Sequence, residues 1–444
     1  MQTVLVVGAG RSSSSLIAYL LQQATIFDWK ILVGDVSEEA ARRRIGGSTR
    51  GHAVFFDVHN ETCHSIIPSA DVVISLLPAN LHPLMASLCL KSGKHLLTAS
   101  YVSKEMEAFH EEAKSKNILL LNECGLDPGI DHMSAIQVID KIKAEGGTML
   151  SFDSFTGGLI SPDTDPENPW RYKFTWNPRN VVMAGQGTAK FLQQGQYKYI
   201  PYQQLFKRIT PITVSGYGEY EGYANRDSLK YLTTYGLHGI NSMLRGTLRN
   251  KGYCAAWDVL VQLGCCDDSY LMEGLERMTH RDFINAFLNF DSQLMVEEKI
   301  CLSFKILPNG PEMQRLRWSG FFDREIIGIK EGTPAQVLEH ILNKKWKLKP
   351  EDKDMIVMWH RFVYEVNGAK KEVQASLIAT GDDSTYTAMA KTVGLPLGIA
   401  AKLLFENKIS SRGVVIPVKK EMYEPILREL SERGIVLTEQ EILL

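Results

Sequence analysis

One short segment of the chain concentrates side chains that could move protons. It runs from Asn122 to His132 and contains Glu123, Cys124, Asp127, Asp131 and His132 together with two glycines and a proline. Asp127 precedes Pro128 in what we predict to be an exposed turn, so we expect its carboxylate to exchange protons with a bound molecule. Asp131 fits the N-cap of the helix that follows. No histidine pairing is evident for Cys124, which we expect to be a packed thiol.

A glycine-rich turn near the N-terminus predicts a site for a dinucleotide. The strand-like run Val4–Val7 is followed by Gly8, Ala9, Gly10, Arg11, Ser12 and Ser13 and then by a helical pattern. Gly8 allows a tight turn, Gly10 lets the backbone approach a pyrophosphate, and the helix N-terminus offers unpaired amides. Ser13 stands where a third glycine is usual. A tight turn without a ligand is the alternative, but the strand–helix units that follow favour a dinucleotide.

The end of the second predicted strand favours NAD as this nucleotide, with NADP as the alternative. Asp35 lies there, where a carboxylate accepts hydrogen bonds from ribose hydroxyls and repels a 2′-phosphate. The run Arg42–Arg44 could hold a phosphate instead, but we expect it to form a solvated face. Asp57 could contact the adenine or cap the next helix. The other residues expected to line the cofactor are Arg11, Ser12, Ser13, Val58, Ser75, Leu76, Leu77, Leu126 and Pro128.

Alternating short β-branched runs and amphipathic segments must position these groups. The runs with strand character are Thr3–Val7, Lys30–Gly34, Ala53–Asp57, Val72–Leu77, His95–Ala99 and Ile118–Asn122. Such alternation predicts a parallel sheet with right-handed crossovers. We therefore predict an α/β fold with a Rossmann-type doubly wound parallel sheet, in which ligands bind at the carboxyl ends of the strands.

Beyond this sheet the pattern predicts a second domain of mixed α+β type. We expect the dinucleotide-binding domain to span residues 1–128, completed by 386–444. The substrate-binding and dimerisation domain would span 129–385, with a helical insertion near 230–300. Within that insertion, Leu237–Arg245 has a helical pattern.

Two local signals in the last third of the chain predict specific geometry. Asn367-Gly368 joins two alternating runs, Met355–Tyr364 and Glu372–Ala379, and this dipeptide predicts a β-hairpin. The apolar helical pattern Thr385–Phe405 contains Pro396, which we expect to kink or split the helix.

Composition and charge argue against several classes of partner. The chain has 444 residues and a net charge of −2 without a long basic run, so we expect no nucleic-acid or anionic-membrane partner. No uninterrupted apolar stretch of about 18 residues occurs, so we expect no membrane span. The seven cysteines are scattered without a Cys-x-x-Cys pair, so we expect no metal site and no disulfide framework. A reduced, cytoplasmic protein without a signal peptide is the expectation.

Several long motifs occur in a characteristic order along nearly the whole chain. They are Val72–Pro78 with His82-Pro83, Ser100-Tyr101 with Ser103, Asn122–His132, Gly157–Leu159, Asn168-Pro169, Tyr172–Phe174 with Trp176, Asn225–Ser228, Arg245–Arg249, Asp354–Val357, and Met389–Gly394 with Pro396. In these motifs the chain resembles the saccharopine dehydrogenases of the glutamate-forming type, also called saccharopine reductases. This dispersed set is far more specific than the glycine turn alone.

The resemblance implies an oxidoreductase of lysine metabolism that acts on the CH–NH bond of saccharopine with NAD(P). It would release L-glutamate and 2-aminoadipate 6-semialdehyde, with hydride leaving the glutamate α-carbon, or condense the two reductively. The implied substrate contacts are Ser100, Tyr101, Asp127, Arg226, Arg245, Thr247 and Arg249. Because saccharopine carries three carboxylates, Lys173 is a further candidate cation. We expect Asp127 and Tyr101 to be the catalytic groups.

The chain departs from the family pattern at two positions. Thr156 stands where fungal and animal members carry a cysteine before the Gly-Gly pair, and Asp35 stands where fungal members carry an arginine suited to NADP. Many animal members are fused to a second enzyme. A related secondary-amine dehydrogenase of the carboxynorspermidine type and a non-catalytic NAD-binding sensor are the alternative functions. We expect a homodimer from the apolar strands of the second domain.

Overall fold

The computed structural model describes residues 1–184 and 186–443, so Leu444, the end of the expected completing segment, lies outside it. The chain divides into two compact units. The first comprises Met1–Thr148, Tyr364–Lys371 and Leu377–Gln440, and the second comprises Met149–Val363, Glu372–Ser376 and the residues from Glu441 onward. The helix Ile130–Ala144 therefore belongs to the first unit, and the boundary follows it instead of lying at residue 128.

Strands and helices are numbered in chain order over the described residues. The strands are β1 (Thr3–Val7), β2 (Lys30–Asp35), β3 (Gly51–Phe55), β4 (Val72–Ser75), β5 (His95–Thr98), β6 (Leu119–Leu121), β7 (Thr148–Ile160), β8 (Ala189–Gln193), β9 (Gln196–Ile200), β10 (Ile209–Val214), β11 (Gly218–Ala224), β12 (Ser242–Asn250), β13 (Asp354–Val366), β14 (Ala369–Thr380), β15 (Gly413–Val415) and β16 (Leu437–Ile442). The α-helices are α1 (Ser14–Phe27), α2 (Glu38–Ile45), α3 (His82–Ser92), α4 (Lys104–Glu107), α5 (His110–Ser115), α6 (Ile130–Ala144), α7 (Pro178–Val182), α8 (Tyr231–Thr234), α9 (Tyr253–Leu263), α10 (His280–Asn285), α11 (Val296–Phe304), α12 (Pro311–Trp318), α13 (Pro334–Trp346), α14 (Ala388–Phe405) and α15 (Lys420–Glu432). Short 3₁₀ helices cover Arg11–Ser13, Glu61–Ser69, Ala79–Leu81 and Tyr202–Lys207.

The first unit is built on a parallel sheet of seven strands within the described residues, in the order β3-β2-β1-β4-β5-β6-β15. The chain starts at the centre with β1, winds outward to β3 and returns beside β1 with β4, so the predicted Rossmann-type doubly wound sheet is confirmed. Every residue of β1 is buried, as helices on both faces of a parallel sheet require. Only β15 was not predicted, because three residues are too short to show a pattern.

Helix α14 packs inside the first unit against α1. A Cβ at Gly394 would lie 2.9 Å from the Leu16 Cβ, and a Cβ at Gly398 would lie 2.5 Å from the Tyr19 Cδ1, so only glycine permits this approach. By length and composition it is the one helix in the described chain that could cross a membrane, and 78% of it is buried within the fold. The helix is not split at Pro396, as one of the two expected outcomes required: it continues through the proline, because its buried faces offset the lost hydrogen bond, and the kink stays a prediction.

The second sheet is mixed, with nine strands in the described part of the chain and the main order β10-β11-β12-β7-β13-β14-β16. The helix expected over Leu237–Arg245 is wrong, because Ser242–Asn250 forms β12 at the centre of this sheet. It pairs antiparallel with β11 and parallel with β7, and such pairing on both edges overrides a local helical pattern. The predicted hairpin is confirmed: Asn367 and Gly368 have φ angles of 52° and 76° between β13 and β14.

Helices α9 to α13 form the helical part of the second unit. They extend from Tyr253 to Trp346, so the insertion expected near 230–300 lies further along the chain. Its core is aromatic: the Trp346 ring stacks on Trp257 at 5.8 Å between centroids and meets Trp170 edge-on at 5.3 Å. Pairs of this kind stabilise by about 0.5–1.5 kcal/mol beyond the area they bury.

Candidate functional site

A tight glycine turn joins β1 to α1 at the carboxyl edge of the parallel sheet. Gly8 has a φ of +106°, and a Cβ there would lie 3.2 Å from the Leu76 carbonyl group. A Cβ at Gly10 would meet nothing within 4 Å, so the turn faces open space. The Ser13 hydroxyl donates a 2.8 Å hydrogen bond to the Gly10 carbonyl, inside the 3₁₀ turn that begins with exposed Arg11 and half-buried Ser12. This geometry fits a pyrophosphate lying against the backbone.

Asp35, at the end of β2, supports the glycine turn through both carboxylate oxygens. The Ala9 amide donates to Oδ2 over 2.7 Å, and the Ser37 amide donates to Oδ1 over 2.8 Å. The carboxylate therefore has a structural role at the turn in addition to the ribose contact that the sequence predicts.

Arg44 lies at the same turn and corrects one expectation. Its guanidinium donates from Nη2 to the Gly10 carbonyl over 3.1 Å, and burial lowers its pKa. By contrast, Arg42 and Arg43 form exposed ion pairs with glutamates one helical turn earlier. The expected solvated face is therefore confirmed for two of the three arginines, whereas Arg44 places a cation where a nucleotide phosphate would bind.

The loop after β3 uses its predicted cofactor residues mainly for its own structure. The Asp57 carboxylate accepts a 2.9 Å hydrogen bond from the His59 amide, which makes a local turn. The Val58 side chain is buried in the hydrophobic core, and its carbonyl contacts His64 Nε2 at 2.8 Å. Of the two predicted contacts, half-buried Asp57 is the one with a side chain accessible to a ligand.

The loop after β4 approaches the glycine turn through Leu76. Ser75 is fully buried, Leu76 donates its amide to the Val7 carbonyl over 2.8 Å, and Leu77 packs against the core. Any cofactor contact at this loop must therefore come from main-chain atoms and from the half-exposed leucine side chains.

A buried histidine connects the ends of β4 and β5. His82 Nδ1 lies 3.1 Å from Ser75 Oγ, while Nε2 lies 2.9 Å from Ser100 Oγ and 3.0 Å from Thr98 Oγ1. Burial lowers the pKa of His82 to about 4, so the imidazole is neutral at pH 7. The predicted substrate residue Ser100 is therefore positioned by His82, which the sequence placed in a family motif but gave no role.

This neutral histidine predicts a pH dependence of folding. Because the pKa of His82 falls from 6.5 to about 4 on folding, the unfolded chain binds more protons between these values, and stability is lost as pH decreases through that window. The free energy of unfolding should decrease less between pH 7 and pH 4 in His82→Gln than in the wild type, by up to about 3 kcal/mol. Urea unfolding from pH 7 to pH 4 measures it, with exposed His59→Gln as the control; superimposable curves for all three proteins would contradict the prediction.

Tyr101 and Asp127 come together at the carboxyl ends of β5 and β6. The Tyr101 hydroxyl donates a 3.0 Å hydrogen bond to Asp127 Oδ1, and both side chains are partly accessible. They are 26 residues apart in sequence, so the strand order creates this pair. A phenol joined to a carboxylate can bind an amine or carry its proton, which is the chemistry expected of these two residues.

The turn that carries Asp127 is tightly packed. The Asp127-Pro128 peptide is cis, and Gly129 has a φ of +147°. A Cβ at Gly129 would lie 2.1 Å from the Gly125 carbonyl oxygen, so no other residue fits there. The Leu126 and Pro128 side chains are buried, which limits their part in cofactor binding to the backbone.

Two neighbours of this turn have structural roles. The expected N-cap role of Asp131 is wrong, because Gly129 is the N-cap and Asp131 is the second residue of α6; its side chain accepts a 2.6 Å hydrogen bond from the Gly129 amide. Cys124 is fully buried, and burial raises the pKa of its thiol. It is a packed thiol, as expected.

Arg226 in the second unit is exposed and has an uncommon backbone conformation. It follows β11 with a φ of +52°, in the left-handed region that an arginine adopts at a cost of about 1–3 kcal/mol. Its carbonyl accepts a 2.8 Å hydrogen bond from the Lys190 amide, which fixes this conformation. Strain of this kind is retained where it places a functional side chain.

Of the three candidates on β12, Thr247 is half-buried, and both arginines are buried, Arg245 at 8% and Arg249 at 5% exposure. The Arg245 guanidinium lies 4.3 Å from the Tyr231 ring centroid, and Thr247, opposite Tyr223 on β11, is half-buried. Arg249 is 5% exposed and lies within a cage of tyrosines, with ring centroids 5.1–5.9 Å from its guanidinium carbon. Arg249 is therefore a cation of the aromatic core, and we omit it from the proposed substrate contacts.

Lys173 is also not a substrate contact. Its ammonium lies 2.7 Å from the Asp352 carboxylate and 2.9 Å from the Asp165 carboxylate, and the lysine is 1% exposed. Burial lowers the pKa of Lys173, but the hydrogen bonds to both carboxylates outweigh it and the net shift is upward. A substrate carboxylate would have to displace a buried ion pair, so this expectation is corrected.

Within the residues that the structure describes, no group of three His, Cys, Asp or Glu side chains could hold a metal ion.

Comparison with protein-family models gives two matches that follow the chain in order. Residues 4–121 match the saccharopine dehydrogenase NADP binding domain, and residues 125–435 match the saccharopine dehydrogenase C-terminal domain. The chain belongs to the saccharopine dehydrogenase family.

Relatives of this family match along nearly the whole chain. It is 34% identical to the mitochondrial alpha-aminoadipic semialdehyde synthase of Bos taurus over 98% of this chain, but it spans only 47% of that protein. It is 29% identical to the saccharopine dehydrogenase [NADP(+), L-glutamate-forming] of Schizosaccharomyces pombe over 99% of both chains. The solved structure of the apo, histidine-tagged saccharopine dehydrogenase (L-Glu forming) of Saccharomyces cerevisiae superimposes with a TM-score of 0.89, at 27% identity over 100% of both chains.

Membership of the saccharopine dehydrogenase family makes the first unit a nicotinamide-cofactor domain and leaves the choice of nucleotide open. The expected preference for NAD is not confirmed, since the family model and the fungal names specify NADP. Of the two further residues that bear on the site, His82 was assigned no role there from the sequence, whereas Arg44 belongs to the run that the sequence offered as an alternative phosphate contact. His82-Pro83 at a helix start was a usable signal for the first. For Arg44 the sequence could not decide between a phosphate contact and a solvated face, because only the fold brings α2 to the glycine turn.

Proposed function

We propose that the chain is an L-glutamate-forming saccharopine dehydrogenase, which oxidises the CH–NH bond of saccharopine with NAD(P) and also runs the reductive condensation. The observation that carries this is the Tyr101–Asp127 hydrogen bond at the carboxyl edge of a Rossmann-type sheet. The name of the S. pombe relative, which the chain matches from end to end, supports it. Arg226, which the resemblance implies as a substrate contact, is exposed and offers a guanidinium for one of the carboxylates, whereas Arg245 is only 8% exposed.

The products decide which carbon is oxidised. Release of glutamate as the amine requires the new C=N bond to form at the lysine-derived ε-carbon, because oxidation at the glutamate α-carbon would release a 2-oxo acid and lysine. The expected hydride position is therefore corrected to the ε-carbon. When bound, the cofactor supplies the acceptor for this hydride. The imine then adds water at the same carbon, and cleavage of its C–N bond yields the aldehyde and glutamate.

The chain's own residues must handle the protons of this reaction. The secondary amine has to be neutral before oxidation, because a protonated nitrogen has no lone pair to form the C=N bond. We assign Asp127 to receive that proton, while the Tyr101 hydroxyl, bonded to Oδ1, orients the carboxylate. Ser100, fixed by His82, is assigned to a polar group of the substrate.

An absorbance assay for the reduced cofactor tests this function directly. Saccharopine plus either NAD or NADP should give reduced nicotinamide and an equal amount of glutamate. Turnover of another secondary amine, such as carboxynorspermidine, without turnover of saccharopine would indicate a related dehydrogenase. Measurable cofactor binding without turnover of any amine in the panel would indicate a sensor.

For the cofactor, we propose a preference for NAD that is set by the opposing charges of Asp35 and Arg44. A charged Asp35 beside the ribose disfavours a 2′-phosphate, whereas the Arg44 guanidinium at the Gly10 carbonyl favours one. The S. pombe relative is named for NADP(+). The relative strength of the Asp35 and Arg44 effects on cofactor choice is therefore the quantity to test.

Substitutions at these two positions should shift the cofactor ratio in opposite directions. We expect Asp35→Asn to move the ratio of kcat/KM values at least about tenfold toward NADP, because a like-charge contact costs several kcal/mol. Arg44→Gln should move the ratio toward NAD. Arg43→Gln, on the same helix but in an exposed ion pair, is the matched control. An unchanged ratio in both variants would remove Asp35 and Arg44 from cofactor selection.

We also propose a homodimer in the cytoplasm. All seven cysteines are free thiols, which fits a reducing compartment. Light scattering of the purified protein tests the dimer, with a monomer mass as the contrary result, and cell fractionation tests the location.

A further inference from the structure

A buried imidazole lies between two carboxylates at the start of α6. His132 Nε2 is 2.8 Å from Glu123 Oε2, and His132 Nδ1 is 3.6 Å from Asp131 Oδ2. The three side chains are at most 1% exposed. In so dry an environment, polar groups are retained only where they hold one another in place, since unpaired ones are costly.

The Glu123 end of this cluster holds the loop that carries Tyr101. The second carboxylate oxygen of Glu123, Oε1, accepts a 2.9 Å hydrogen bond from the Val102 amide, and the Glu123 amide donates to the Ser100 carbonyl over 3.0 Å. These two bonds bracket Tyr101. Glu123 itself has a φ of +54°, a strained conformation that aims its side chain at both partners.

The Asp131 end holds the turn that carries Asp127. Asp131 Oδ1 accepts from the Gly129 amide over 2.6 Å, and the Asp131 amide donates to the Leu126 carbonyl over 3.0 Å. These two bonds bracket Asp127 in the same way. One imidazole therefore lies in contact with one carboxylate on each side, at hydrogen-bond distance from Glu123 and at 3.6 Å from Asp131, and these two carboxylates hold the loops that meet in the Tyr101–Asp127 hydrogen bond.

We propose that His132 is a positioning residue that holds Tyr101 and Asp127 in register through Glu123 and Asp131. The inference deepens the proposed function and rests on it. Errors of about 1 Å in the placement of reacting groups can cost about 10²-fold in rate, so a fixed distance between two loops has direct kinetic value. Glu123 and His132 act without entering the reaction themselves.

Two substitutions separate the proposed connections. In glutamine the side-chain amide nitrogen can occupy the place of Nε2, so His132→Gln keeps the donor to Glu123; in His132→Asn the nitrogen corresponds to Nδ1, and that donor is lost. We expect His132→Asn to lower kcat roughly 10- to 100-fold, with cofactor binding unchanged. His132→Gln should restore most of the rate. If His132→Asn does not fold, Glu123→Gln replaces it as the test variant, because glutamine has nearly the same shape as glutamate. Its kcat should lie between those of the wild type and the value expected for His132→Asn.

Urea midpoints and cofactor binding show whether each variant is folded. Equal kcat for folded His132→Asn, His132→Gln and wild type would overturn the proposal, as would a loss of cofactor binding that matches the loss of kcat. If the wild type does not turn over saccharopine, the proposed function fails. The positioning role of His132 is then tested separately, by crystal structures of the two His132 variants. The Tyr101 Oη to Asp127 Oδ1 distance, 3.0 Å here, should exceed about 3.5 Å in His132→Asn and not in His132→Gln.

Discussion

Replacing Asp127 with asparagine is expected to lower kcat for saccharopine by about 10²- to 10⁴-fold, the range found for loss of a general acid–base group. Asparagine preserves the shape of the side chain and can still accept the Tyr101 hydrogen bond. It cannot take a proton from the secondary amine at neutral pH. The substitution therefore removes the proton transfer while it leaves the turn and its buried Gly125–Gly129 contact intact.

Steady-state rates at saturating saccharopine and cofactor measure this effect. Asp163→Asn, an exposed aspartate outside the proposed site, is the matched control and should retain the wild-type rate. Tyr101→Phe should lose about tenfold, because it removes the orienting hydrogen bond worth about 1.4 kcal/mol and leaves the carboxylate. A rate for Asp127→Asn within a few-fold of the wild type would exclude Asp127 as the proton acceptor.

Replacing Arg226 with alanine is expected to raise KM for saccharopine by about 10²- to 10³-fold, because a charged hydrogen-bonded pair truncated on one side costs about 2–5 kcal/mol. Arg226 is exposed, and its carbonyl is held to the Lys190 amide, so its guanidinium is presented by a fixed backbone. A planar guanidinium can bind a carboxylate with two parallel hydrogen bonds, which a lysine cannot.

The conservative variant and the cofactor provide the controls for Arg226. Arg226→Lys should recover part of the affinity, since it restores the charge but not the paired geometry. KM for the cofactor should not change, and Arg208→Ala, an exposed arginine of the same unit, should behave as wild type. A wild-type KM for saccharopine in Arg226→Ala would show that the substrate carboxylates bind elsewhere.

The parallel sheet and its glycine turn could be predicted because their signals are local. A buried parallel strand such as β1 needs a continuous apolar run, and the Gly8 conformation admits little but glycine. The hairpin at Asn367-Gly368 was equally predictable, since both residues tolerate positive φ. By contrast, β12 could not be read from its residues, because its strand state comes from pairing with β11 and β7.

The cationic candidates show where sequence reasoning stops. Lys173, Arg226 and Arg249 are alike as charges in aromatic or glycine-rich stretches. Only the fold gives Lys173 the carboxylate of Asp352, 179 residues away, and encloses Arg249 among tyrosines. Arg226 alone of these three remains exposed in the described structure.

The amino-acid order by itself determined the alternation of strands and helices, the glycine turn, the position of Asp127 in a turn before α6, and the family. These depend on backbone preferences and apolar periodicity, which act over a few residues. The tertiary structure alone decided that Tyr101 bonds Asp127, that Arg44 reaches the glycine turn, and that His132 lies between two carboxylates. Such contacts join separate loops and helices, and the distance between them is set by how the sheet winds.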